Sequence, residues 1–128
     1  MAKVLVIEDN ENLRFLFKEF LTDAGHDVIL AENGIQGLEI LQMQNNPLPD
    51  IILLDLIMPN MDGRIVAESI YTDNRLSKIP IIVISGAAAI IKKSAHKTIY
   101  SSYITKPFDL DDVLRTIDRF TSSEVSCK

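Results

Sequence analysis

The chain has 128 residues, of which 47% are hydrophobic, a formal net charge of -5 and a single cysteine, Cys127. That length and apolar content suit one domain with its own core, and the acidic balance argues against DNA or RNA as a direct partner, because nucleic acid is met by basic patches. One thiol forms no internal disulfide and fits a reducing cytoplasm, while the opening apolar run Val4 to Ile7 is too short for a signal peptide or a membrane span.

Along the chain, apolar runs rich in branched side chains alternate with stretches of helical period, the pattern of βα units in a parallel sheet. Residues 3–7 read as the first strand, halted by Glu8-Asp9. Leu13, Leu16, Phe17, Phe20 and Leu21 then recur at three- and four-residue steps, so 11–23 reads as an amphipathic helix ended by Gly25. After a strand at 27–31, Asn33 is placed to cap a second helix bearing Ile35, Leu38 and Leu41, which Pro47-Leu48-Pro49 stops. The third strand, 50–55, delivers Asp55 at its end. Asp62 is placed to cap a third helix with Ile65, Val66 and Ile70 inward.

A fourth strand spans 80–85, and a fourth helix is expected over about 87–98, basic in its second half. The fifth strand, 102–105, leads to Lys106 and to a fifth helix from Asp109 with Leu110, Val113, Leu114 and Ile117 at helical spacing and acids in its first turn. Residues 1–121 thus read as one domain and 122–128 as a tail.

Strands apolar on both faces must be covered on both faces, and a doubly wound sheet keeps its functional crevice at the carboxyl ends of its strands. Glu8, Asp9, Asp55, Ser85 and Lys106 all fall there. Crowded carboxylates repel unless a cation, a retained proton or a lysine offsets them. Oxygen ligands without sulfur or clustered histidine favour a hard ion such as magnesium, which also binds phosphate oxygens. The arrangement therefore points to phosphoryl chemistry, with Asp55 as nucleophile and Lys106 neutralising phosphoryl oxygens.

Glu8-Asp9, Asp55 followed by Pro59 and Gly63, Ser85-Gly86 and Lys106-Pro107-Phe108 together resemble the receiver domain of response regulators over residues 3–120. The resemblance implies a flavodoxin-like sheet of five parallel strands in the order 2-1-3-4-5 with five helices. It implies that Mg2+ is held by Asp9, by Glu8 partly through water, by Asp55 and by the main-chain carbonyl of Ile57. Asp55 becomes the phospho-acceptor, supplied by a histidine kinase or histidine phosphotransfer protein. Ser85 and Tyr103 form a switch, and the fourth helix, fifth strand and fifth helix form the surface read by a downstream protein. Ile57 and Ala87 flank the acceptor without a group to orient water, which predicts slow self-dephosphorylation rather than enzymatic turnover.

Plainer readings stand beside these. Acids after a strand are often solvated, Lys106 alone is a surface ammonium, Ser85 a strand end and Tyr103 core packing. His26 and His96 read as surface residues, and the basic stretch Lys92, Lys93, His96 and Lys97 as a solvated helix end. A magnesium-dependent phosphatase with an aspartyl-phosphate intermediate needs a second acid where Ile57 stands. A flavin carrier needs a hydroxyl- and glycine-rich turn where Glu8-Asp9-Asn10-Glu11 stands. A pseudo-receiver, or a receiver excised from a larger regulator, completes the alternatives.

Overall fold

The computed structural model describes residues 2–43, 47–56, 63–85, 100–106 and 108–121. Five strands, β1 (Lys3–Ile7), β2 (Asp27–Ala31), β3 (Ile51–Asp55), β4 (Ile81–Ser85) and β5 (Ser102–Thr105), form one sheet in the order β2-β1-β3-β4-β5. Every pairing is parallel. Four helices accompany them among the described residues: α1 (Glu11–Asp23), α2 (Gly34–Gln42), α3 (Gly63–Tyr71) and α4 (Leu110–Thr121). The α/β class, the flavodoxin-like order and the strand positions match the sequence reading. The helix expected over 87–98 lies outside the described residues, as do Asp62 and the tail 122–128.

Alternation of side chains along each strand splits the core into two layers. Val4, Val6, Ile51, Leu53, Ile82 and Ile84 face one way, with Phe17 and Leu21 of α1 and Val113 and Ile117 of α4. Leu5, Ile7, Ile52, Leu54, Ile81 and Val83 face the other, with Leu41 of α2 and Val66, Ala67 and Ile70 of α3. The central strands are therefore apolar at nearly every position because each face supports its own pair of helices.

Helix limits follow from capping. Asn10 and Asn33 accept the main-chain N–H of Leu13 and Gln36 through their side-chain oxygens, starting α1 and α2. Gly25, at φ 95, takes the left-handed conformation that closes α1.

Leu16, on the face expected to dock on the sheet, and Ile65, expected inward, are 43% and 54% exposed, and Ile35 is 47% exposed, because each sits one helical step, about 100°, off the stripe that meets the sheet. His26, expected at the surface, is buried. Its Nδ1 accepts the N–H of Ala2, and its Nε2 lies 3.3 Å from Asp118 Oδ1, so it ties the start of β1 to α4.

Candidate metal and phosphoryl site

Register assembles the site. Ile7 pairs with Leu54, so the next residues, Glu8 on one strand and Asp55 on the other, emerge side by side. On the far side Val83 pairs with Tyr103 and Ser85 with Thr105, which releases Lys106 just past the same edge. The Lys106 ammonium stands 3.4 Å from Asp55 Oδ2 and 3.7 Å from Glu8 Oε1. Glu8 and Asp55 are buried and Asp9 is exposed, yet each of the three offers a carboxylate oxygen within 4.8 Å of the others. Residues distant in the chain, and singled out from the sequence, thus converge.

The crowding shows in Glu8, whose carboxyl is pushed up to about 8. Burial is the main cause; the Asp55 charge and a hydrogen bond between the two carboxyls add to it, while the Asn10 amide and the Lys106 ammonium oppose it. The Asn10 N–H donates to Glu8 Oε2 at 3.2 Å, so the residue that caps α1 also fixes the buried acid. All-oxygen donors around a shared centre suit a small divalent cation such as Mg2+.

Two supporting features complete the site. A Cβ on Gly63 would lie 2.5 Å from the carbonyl oxygen of Asp55 and 2.5 Å from Cα of Leu56, and its N–H donates to Leu56 O at 2.8 Å. Only glycine lets α3 return this close to the end of β3. Arg14 Nη1 donates at 2.9 Å to the carbonyls of both Glu8 and Asp9. Sequence reading missed Arg14; its signal was helical phase, one turn beyond the Asn10 cap on the side facing the strand ends. Ser85 ends β4 opposite Thr105, and Tyr103 on β5 is 48% exposed. Ile57, Pro59, Ala87, Pro107 and the basic stretch 92–97 lie outside the described residues.

A parallel sheet with an acid cluster and a lysine at its carboxyl edge defines a metal- and phosphate-handling α/β protein rather than a flavin carrier. Residues 4–118 match the response regulator receiver domain family, and the chain belongs to that family, the phosphoryl-accepting class of two-component signalling. It is 29% identical to Protein PilH of Pseudomonas aeruginosa, over 92% of this chain and 96% of that protein. It is 33% identical to the DNA-binding dual master transcriptional regulator RpaA of Synechocystis, over 91% of this chain but 48% of that protein, so it spans about half of that relative. The response regulator TrrA of Thermotoga maritima, solved in complex with Mg(2+)-BeF, superposes with a TM-score of 0.80 at 27% identity, covering 94% of this chain and 99% of that one. Among the described residues no helix is long and apolar enough to cross a membrane.

Proposed function

We propose that Asp55 is the residue that accepts the phosphoryl group, from a phosphohistidine on a histidine kinase or histidine phosphotransfer protein in the cytoplasm. The observation that carries this is the Lys106 ammonium 3.4 Å from Asp55 Oδ2, with Glu8 and Asp9 carboxylates sharing the same centre. An Asp55 oxygen attacks phosphorus, the bond from phosphorus to the donor nitrogen breaks, and the donor imidazole leaves with the bond's electron pair. Lys106 pairs with a phosphoryl oxygen and offsets charge that builds there. Mg2+, held by Asp9, Asp55, Glu8 partly through water and the Ile57 carbonyl, supplies further charge neutralisation when bound. TrrA, solved in complex with Mg(2+)-BeF, supports the binding of magnesium by likeness.

The phosphoryl group adds almost two charges and three strong acceptors. The Ser85 hydroxyl bonds one of them, and Tyr103, outward in this structure, turns inward. The face of the segment 87–98, β5 and α4 then changes for a downstream protein. Residues 1–121 form the receiver and 122–128 a tail, and self-dephosphorylation is slow for want of a water-orienting group at 57 or 87.

Incubation with acetyl phosphate and Mg2+, followed by intact-mass measurement, tests the acceptor. Wild type is expected to gain one phosphoryl group and Asp55→Asn none. No gain in wild type, or the same gain in Asp55→Asn, contradicts the proposal. Steady turnover of a phosphomonoester, lost in Asp55→Asn, would instead establish the phosphatase.

A further inference from the structure

We infer that Arg14 is a positioning residue for the metal site, holding the acid pair through its main chain; this rests on the magnesium-binding reading above. The last ladder bond at the end of β1 runs from the Glu8 N–H to Ala31 O at 3.1 Å, and beyond it the chain leaves the sheet. At that step Arg14 takes hold. Its Nη1 gives one bond to the Glu8 carbonyl and one to the Asp9 carbonyl, both at 2.9 Å. The side chain is only 14% exposed, and Nη2 lies 4.0 Å from Glu32 Oε2 after β2.

The grip matters because Asp9 sits on the first residue free of the sheet, where main-chain drift would swing its carboxylate away from Asp55. Glu8 is steadied separately by the Asn10 N–H, whereas Asp9 has Arg14. A planar guanidinium gives both bonds in fixed directions, which a single ammonium point does not reproduce. Partners that orient ligands without touching the metal typically contribute about 10- to 100-fold in affinity.

Charge and positioning predict opposite signs. Arg14 is a cation beside a cation site, so acting by charge alone it would repel Mg2+, and Arg14→Gln would bind the ion more tightly. Acting by position, its loss frees the Asp9 main chain and binding weakens.

Magnesium titration by calorimetry, on proteins whose fold is checked by far-UV circular dichroism, separates the two. Arg14→Gln and Arg14→Lys are both expected to raise Kd for Mg2+ about tenfold. Glu32→Gln, which leaves both carbonyl bonds in place, is expected to stay within about twofold, as for other exposed pairs. Should Arg14→Gln fail to fold, Arg14→Lys, which keeps the charge, carries the test. Unchanged or tighter binding in Arg14→Gln overturns the role, as does wild-type affinity in Arg14→Lys. A wild type that binds no Mg2+ overturns the metal reading and this inference with it, whereas normal wild-type binding with indifferent Arg14 variants overturns the inference alone.

Discussion

Glu8 and Asp9 are neighbours in the chain with opposite surroundings, and the difference sets the pH behaviour of the site. Glu8 stands level with Asp55 on the adjoining strand and is buried, while Asp9 is exposed. The Glu8 carboxyl, raised from 4.5 to about 8, binds its proton more tightly folded than unfolded. The stability this gives the metal-free protein is fully present below pH 4.5 and is lost as pH climbs through 8. Glu8→Gln keeps the shape without the titration, so its unfolding midpoint is expected to fall less over that interval than that of wild type. Equal slopes in a series of chemical denaturations would refute the assignment to Glu8. The sequence placed both acids at a strand's end but was silent on which one is buried, because strand register decides that. Arg14 was hidden for a related reason: its targets are main-chain carbonyls, which leave no residue-type pattern.

At the scale of elements, strands were the most legible feature. An apolar run flanked by polar residues is sufficient when both faces of the sheet are covered, and all five strands lie within one residue of where the runs placed them. Helix faces were less legible, since Leu16, Ile35 and Ile65 are apolar yet point off the buried stripe. Leu16 lines an open groove with Leu13, Lys106, Phe108 and Leu110, a surface that apolar periodicity cannot tell from core. His26 escaped because its partners, the Ala2 N–H and Asp118, come from opposite ends of the chain. Glycines at helix contacts separate in a way that can be measured. A Cβ on Gly37 would meet the movable Cδ1 of Ile7 at 2.5 Å, whereas one on Gly63 would meet fixed main chain at the same distance. Gly37→Ala also gains about 1 kcal/mol of helix propensity in the interior of α2. Gly63→Ala is therefore expected to be the more destabilising in denaturant titration, by about 1–3 kcal/mol relative to wild type, and to weaken Mg2+ binding by displacing the end of β3. Equal costs at the two positions would show that the approach of α3 to Leu56 is not tight.

For the molecule as a whole, the rigid part and the reactive part are one structure seen from two sides. Two apolar layers fix the sheet, and the sheet forces Glu8, Asp55 and Lys106 together at its carboxyl edge. Above about pH 8, where Glu8 is ionised, folding free energy is spent on holding like charges near one another, and removing a charge returns some of it. Asp55→Asn relieves repulsion with ionised Glu8 but strips the site of a ligand and weakens the contact with Lys106, whose side chain is 30% exposed. The net expectation, at a pH above about 8 where Glu8 is ionised, is a higher thermal midpoint for metal-free Asp55→Asn than for metal-free wild type. Added Mg2+ reverses the order, since a ligand that binds only the folded form at a hundredfold excess over its Kd stabilises by about 2.7 kcal/mol. For a domain of this size, at about 4 °C per kcal/mol, that is a rise of about 10 °C, confined to wild type. Scanning calorimetry of both proteins, with and without the ion, reads all four midpoints. Identical metal-free midpoints together with no magnesium-dependent rise in wild type would mean that the three carboxylates neither strain the fold nor share a cation.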